Sequence, residues 1–227
     1  MVKFDSGMNI KQLQDFIGAV YLVPNNRNFE FGEMLDNVSR FTMRALKGIR
    51  KKDNENVTKN MVISLSWFLS MLNRLYIDVE EELWMRFPFV CSYCNSESCV
   101  CALKRPLNRQ KVIIDESKRP KTVRAFQEMF EKIYPAPKRT LEHAGVHLAE
   151  ELGEFSEAFW IYRASKSKGD FEQLSLEAAD FLSCFMVVFN SLNVDLASEL
   201  SKYYFDNCHV CHKAPCECTY EYIKSFK

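Results

Sequence analysis

The sequence is poor in the residues that make turns. It has seven glycines and seven prolines in 227 residues. Turn-rich β folds depend on these residues at their strand connections, so their scarcity argues against such a fold. Apolar residues make up 47% of the chain and recur over long periodic stretches. This pattern predicts an all-α protein with a substantial core.

The sequence also lacks a net charge, because its 30 basic and 30 acidic residues cancel. No overall field favours a membrane or nucleic acid as partner. The N-terminus has no apolar segment typical of a signal peptide. The most apolar run, residues 61–72, is too short to cross a bilayer and predicts a buried core helix. We expect a soluble, cytoplasmic protein that binds no membrane.

Cysteine, by contrast, is abundant. Eight of the nine cysteines fall into two copies of the spacing C-x2-C-x4-C-x-C, namely Cys91, Cys94, Cys99 and Cys101, and Cys208, Cys211, Cys216 and Cys218. Cys184 stands alone in an apolar helix pattern, which favours core packing. Without a secretion signal, the two clusters predict two structural Zn²⁺ sites per chain, each held by four thiolates.

Disulfides and iron–sulfur clusters are the alternatives for these cysteines. His209 and His212 lie inside the second cluster, but Ser92 and Asn95 occupy the matching places in the first. Histidine ligation is therefore disfavoured.

The chain contains an internal repeat. Shifting the sequence by 117 residues aligns residues 33–101 with residues 150–218 without a gap, cysteines included. So many matches in one register indicate a tandem duplication. We predict a first repeat over residues 1–102 with its cysteine knuckle at 91–101, a basic linker over 103–121, and a second repeat over 122–227 with its knuckle at 208–218. A solvated linker is favoured over one that contacts an anionic surface.

Each repeat is predicted to contain four helices. The predicted ranges are 10–21, 29–50, 57–76 and 79–86, then 121–134, 141–164, 171–192 and 195–205. Asp53 and Asp170 are the expected N-caps of the third helix in each repeat.

Five acids stand out in the second repeat: Glu150, Glu151, Glu154, Glu177 and Asp180. Spacings of three residues place acids on one helix face, and the two helices form a predicted antiparallel hairpin. A pocket of carboxylates repels itself unless cations fill it, and oxygen ligands suit Mg²⁺ or Mn²⁺. A solvated helix face is the competing interpretation.

The first repeat helps to decide between these interpretations. At the 117-residue shift, Glu151, Glu154, Glu177 and Asp180 become Met34, Asn37, Asn60 and Ile63. Acids that only kept a surface soluble would have no reason to disappear as a set while the scaffold residues remain. A metal pocket in the second repeat is therefore favoured.

The pattern E-E-x-x-E followed by E-x-x-D resembles the MazG-like, all-α nucleoside triphosphate pyrophosphohydrolases, which include dimeric dUTPases and phosphoribosyl-ATP pyrophosphohydrolases. The resemblance covers residues 122–195 with the acids and 14–78 without them. It implies two tandem four-helix repeats packed as a pseudo-dimer, with further homo-oligomerisation left open. It also implies that Glu151, Glu154, Glu177 and Asp180 hold catalytic Mg²⁺ or Mn²⁺. Water would then attack the α-phosphorus of a nucleoside triphosphate and release pyrophosphate.

Other residues near the acids are weaker candidates. Glu150 is a candidate base or outer-sphere residue, with a solvated position equally open. Arg163, Lys166 and Lys168 are candidates for phosphate contacts, against simple exposure. Trp160 and Phe181 are candidates for stacking on the base, against core packing.

Two functions outside hydrolysis also remain open. One is a helical binding module that uses its zinc knuckles to hold nucleic acid or protein. The other is a nucleotide sensor without significant turnover.

Overall fold

The computed structural model describes residues 4–104, 106–109, 111–135 and 139–225. These residues form α-helices, one short 3₁₀ turn at Glu116–Lys118 and no strands, which confirms the all-α prediction. The helices are α1 (Ile10–Asn28), α2 (Phe31–Lys51), α3 (Asn54–Leu75), α4 (Val79–Arg86), α5 (Val123–Ile133), α6 (Leu141–Ser165), α7 (Lys168–Leu192), α8 (Leu196–Tyr204) and α9 (Tyr220–Ser225).

Three helix ends differ from the prediction by three residues or more: the end of α1 and the starts of α3 and α7. Helix α1 continues to Asn28 and includes Pro24, because buried Asn25 donates a hydrogen bond to Ser70 at 2.7 Å and anchors this segment to α3. Helix α7 begins early because Ser167, not Asp170, is its N-cap: the Ser167 hydroxyl accepts from the Asp170 amide at 3.1 Å. The Asp170 N-cap was therefore wrong.

The other predicted cap is confirmed. The Asp53 carboxylate accepts a hydrogen bond from the Asn56 amide at 3.1 Å, and α3 begins directly after it. Lys52 and Lys166 end helices α2 and α6 in the left-handed conformation, with φ of 57° and 51°. These tight connections make each helix pair, α2 with α3 and α6 with α7, a hairpin.

The fourth helices of the two halves exchange contacts. Helix α1 packs on α3 and α5 packs on α7, but α4 packs mainly on α7, and α8 packs on α3 as well as on α5 of its own half. The hairpins also meet directly, where Phe68 contacts Phe155 and Phe181 with ring centroids 5.2 and 4.9 Å apart. The core therefore runs through both halves without a break.

Both cysteine knuckles lie against the opposite half. The Cys99 amide donates to the Ile133 carbonyl at the end of α5, at 2.8 Å. The Cys216 amide donates to the Val20 carbonyl in α1, at 2.7 Å. Cys99 and Cys216 are matching positions of the repeat, so the duplicated sequence makes duplicated contacts.

Buried glutamines repeat in the same way. The Gln14 side chain donates to the Ile77 carbonyl at 2.7 Å, and the Gln127 side chain donates to the Val194 carbonyl at 2.8 Å. Ile77 and Val194 are again 117 residues apart. Each glutamine ties the first helix of its half to the turn before the last helix.

The linker is more ordered than the prediction of a solvated segment. Arg119 forms ion pairs with Glu80 at 3.2 Å and Glu81 at 2.6 Å, both on α4. Glu116 accepts a hydrogen bond from the Trp84 indole at 2.8 Å. The described part of the linker therefore docks on the first half.

Helix α7 is long and apolar enough to cross a membrane by length and composition alone. However, 78% of its most apolar window is buried inside the fold. A core helix of a folded domain has this character, and α7 carries the acids discussed next.

Candidate metal and substrate site

Helices α6 and α7 bring three of the predicted ligands together. Glu151, Glu177 and Asp180 each offer a carboxylate oxygen, and these oxygens lie within 4.8 Å of one another. Glu154, one turn after Glu151, is exposed and outside this group. Its charge nevertheless raises the pKa of both Glu151 and Glu177, so it lies at the edge of the cluster.

The cluster is electrostatically unfavourable as it stands. Burial, followed by the charges of Asp180 and Glu154, raises the pKa of Glu151 to about 8. Burial and Asp180 also raise the pKa of Glu177. One oxygen of Glu151 and one of Glu177, Oε2 in each, are buried without a hydrogen-bond partner in the described structure. A hard divalent cation such as Mg²⁺ or Mn²⁺ is the kind of partner that these oxygens fit.

Arginine contacts one member of the cluster. The Arg86 guanidinium, on α4 of the first half, makes two hydrogen bonds to the Asp180 carboxylate, one of them from Nε at 2.8 Å. Arg109, in the linker, lies 3.6 Å from the same carboxylate. Burial raises the pKa of Asp180 and Arg86 opposes that rise. A first-half residue thus belongs to a second-half site.

Sequence reasoning missed Arg86, although one signal was present. Its counterpart at the 117-residue shift is Tyr203, just as the counterpart of Asp180 is Ile63. Both residues of the ion pair therefore differ between the two repeats. A joint difference of this kind is a signal that the two side chains are in contact.

A cavity of about 570 Å³ adjoins the acids. Glu150, Glu151, Glu154 and Asp180 line one side, and Cys91, Ser92, Tyr93, Cys99, Cys101 and Ala102 of the first knuckle line another. Arg109 and Arg139 also face it. The cavity therefore combines an acidic wall with two guanidiniums that suit phosphate groups.

Glu150 has a partner of its own at this cavity. Its carboxylate lies 3.0 Å from Nδ1 of His147, while the Glu150 side chain remains largely exposed. Burial, followed by the charge of Arg139, lowers the pKa of His147. Glu150 thus lies outside the three-acid cluster and faces a histidine.

The structure places the five predicted substrate contacts elsewhere. Phe181 is fully buried in the core, and Arg163 lies over the Phe31 ring at 5.3 Å. Lys168 is exposed and pairs with Glu172 at 3.5 Å.

The remaining two also lie outside the lining of the cavity. Trp160 is half-exposed beside Gly32, and Lys166 is the C-cap of α6. None of the five lines the cavity at the acids. Arg109 and Arg139 replace them as candidates for phosphate contacts.

The two cysteine groups have the geometry of tetrahedral metal sites. In each group the four sulfurs lie within 4.8 Å of one another. Cys91 and Cys101 are 3.8 Å apart, and Cys208 and Cys218 are 3.9 Å apart. A Zn–S bond of about 2.3 Å gives a tetrahedron edge of about 3.8 Å, whereas a disulfide bond is about 2.05 Å long. Both groups can therefore bind zinc, and their thiols are not joined as disulfides.

No family model, curated protein or solved structure matches this chain. Its function must therefore be inferred from the chemistry of the cavity: three clustered acids, two arginines and a four-cysteine loop.

Proposed function

We propose that this protein is a Mg²⁺-dependent nucleoside triphosphate pyrophosphohydrolase that converts a (d)NTP and water into a (d)NMP and pyrophosphate, acting on a cytoplasmic nucleotide pool. The observation that carries the proposal is the pair of buried, unpartnered oxygens on Glu151 and Glu177, close to Asp180 and beside an arginine-lined cavity. The motif resemblance to MazG-like enzymes supports the same chemistry.

Each residue of the site has a role in this proposal. Glu151, Glu177 and Asp180 hold the ion, and exposed Glu154 joins them by rotating its side chain. Bound Mg²⁺ would neutralise phosphate charge and lower the pKa of water. Arg109 and Arg139 orient the phosphate chain against the acids.

The proposed architecture is a MazG-like pseudo-dimer within one chain. Two features support it: the exchange of α4 and α8 between halves, and the matching hydrogen bonds of the two halves. In this arrangement the first half supplies Arg86 and a cavity wall to the acids of the second half.

We also propose that each knuckle holds one structural Zn²⁺. Four sulfurs complete a tetrahedral shell and leave no position for substrate. The ion would then fix the loop that lines the cavity, without taking part in the reaction.

The test is a survey of NTPs and dNTPs with Mg²⁺, following pyrophosphate and nucleoside monophosphate together. We expect release from at least one nucleotide, and loss of release in Glu177→Gln and Asp180→Asn with the fold retained. Glu172→Gln is the matched control, because this exposed acid lies on the same helix and pairs only with Lys168 among the contacts described. Absence of release for every nucleotide at neutral and alkaline pH would reject the proposal.

A nucleotide sensor is the second candidate, and the Arg86–Asp180 pair favours it. The two guanidinium hydrogen bonds occupy one lone pair on each Asp180 oxygen and partly neutralise its charge, which weakens metal binding. Nucleotide binding without pyrophosphate release would assign this function. A binding module that uses only its knuckles would neither bind nucleotide nor release pyrophosphate.

A further inference from the structure

The acid site has a counterpart in the first half with the opposite charge. Asn60 and Ile63 stand 117 residues before Glu177 and Asp180. Beside them, the α2–α3 hairpin lines a second cavity of about 400 Å³, which we call the sister cavity. Its charged lining consists of Arg44, Lys47, Lys51, Lys59 and Asp53.

The single acid of this lining is already in use, since the Asp53 carboxylate caps α3. Four basic side chains and one carboxylate therefore line the sister cavity, a formal excess of three positive charges. The second half keeps only one of these charges: the counterparts of Arg44, Lys47 and Lys59 are Ile161, Ala164 and Leu176, whereas that of Lys51 is Lys168. Three of the four positive charges are therefore specific to the half without the acids.

The basic residues of α2 also form a continuous stripe. Arg40, Arg44, Lys47 and Lys51 follow one another at spacings of four, three and four residues, so they share one helix face. Like charges at these spacings destabilise a helix. Burial and the charge of Arg44 lower the pKa of Arg40, whose Nε is buried without a hydrogen-bond partner. Arg40 lines a different cavity, beside Cys208, so an anion in the sister cavity would offset the repulsion among Arg44, Lys47 and Lys51 only.

The start of α3 adds to the positive charge at the sister cavity. Asn56, in its first turn, lines the sister cavity. The N-terminus of a helix of 22 residues carries a partial positive charge. The backbone at the start of α3 and the basic side chains therefore both favour an anionic ligand.

We propose that the sister cavity binds a small polyphosphate, either free or as the phosphate chain of a nucleotide, without a divalent cation. Four cations around a concave site match a chain of several linked phosphates. The α2 stripe is about 16 Å long at 1.5 Å per residue, whereas one turn of DNA duplex covers about 34 Å. The dimensions thus favour a small anion over nucleic acid.

The direct test is calorimetric titration with tripolyphosphate in buffer freed of divalent ions, with the zinc content of the protein measured before and after, because tripolyphosphate is itself a chelator. We expect the double variant Lys47→Glu/Lys51→Glu to bind about tenfold or more weakly, because two attractions become repulsions. The control is Lys118→Glu/Lys202→Glu, which makes the same charge change at exposed residues outside the cavity. It should bind like the unmodified protein.

Three results would overturn the proposal: no binding by the unmodified protein, equal binding by the Lys47/Lys51 variant, or an equal loss in the control. A single-stranded oligonucleotide that binds more tightly than tripolyphosphate would assign the stripe to nucleic acid instead. ATP and tripolyphosphate titrated in parallel distinguish the nucleotide from the free anion.

The acid site is tested separately. Glu177→Gln should keep tripolyphosphate binding at the sister cavity, whatever its effect on hydrolysis. Loss of binding in this variant would place the anion at the acid site and reject the sister cavity.

Discussion

Arg86 on α4 binds Asp180 on α7, and both side chains are nearly inaccessible, with 9% and 11% of their surface exposed. A buried ion pair is costly to break, because the remaining charge has no partner. The pair also joins the first half of the chain to the acid cluster of the second.

The first prediction concerns this pair. Arg86→Gln should destabilise the metal-free protein by about 3 kcal/mol, the lower end of the usual cost of breaking a buried ion pair, because Arg109 remains near the Asp180 carboxylate. Mg²⁺ should restore more stability in the variant than in the parent, because the ion no longer competes with a guanidinium for Asp180. Chemical denaturation with and without Mg²⁺ measures both effects.

Arg124→Gln is the matched control for that experiment. Arg124 also pairs with an aspartate, Asp195, but 54% of its side chain is exposed. Its loss should cost less than about 1 kcal/mol. Equal destabilisation by the two variants would show that burial does not strengthen the contribution of the Arg86–Asp180 pair to stability.

The second prediction concerns pH. The pKa of Glu151 is raised from 4.5 to about 8 in the folded state. Between these values the folded protein binds more protons than the unfolded chain, so stability should fall as pH rises through this window. Mg²⁺ competes with the proton, so its stabilising effect should grow over the same range.

Denaturant unfolding at intervals from pH 5 to pH 9, with and without Mg²⁺, tests this dependence. Glu151→Gln removes the titrating group and should flatten the metal-free profile. An unchanged slope in that variant would assign the pH dependence to other carboxyls, Glu177 first, since its pKa is raised by the same causes.

The third prediction uses matching cysteines of the two knuckles. Cys91→Ser and Cys208→Ser should each remove one zinc of two, measured by elemental analysis. Only Cys91→Ser should raise KM for the nucleotide, because the first knuckle lines the cavity at the acids. Cys184→Ser should keep both ions, since Cys184 belongs to neither group. Iron in place of zinc, or a KM effect from Cys208→Ser alone, would contradict this assignment.

The fourth prediction compares the buried glutamines. Gln14→Ala and Gln127→Ala should each cost about 1–3 kcal/mol, because each leaves buried backbone groups without partners. Exposed Gln12→Ala, which removes part of an N-terminal cap, should cost less than about 1 kcal/mol. Thermal or denaturant unfolding distinguishes them, and a large difference between the two buried variants would argue against equivalent roles.

Local patterns predicted much of this molecule. Helical periodicity and scarce turn residues gave the all-α class, and the cysteine spacing gave two compact sulfur clusters. The cap at Asp53 followed from local hydrogen bonding. The cap at Asp170 did not, because Ser167 competes for the same role three residues earlier.

Long-range contacts were beyond such patterns. Arg86 meets Asp180 across 94 residues, through a helix exchange that no local pattern encodes. The basic residues predicted to contact phosphate lie towards the α6–α7 turn and do not line the cavity beside the acids. Glu151 precedes Lys166 by 15 residues, or about 22 Å of helix.

The docking of each knuckle on the opposite half has a final consequence. The Cys99 amide is bonded to α5, and the Cys216 amide to α1. Each half is therefore fastened by a loop that belongs to the other. Loss of the proposed zinc from one knuckle would therefore weaken the packing of the opposite half, so damage to one repeat would also destabilise the other.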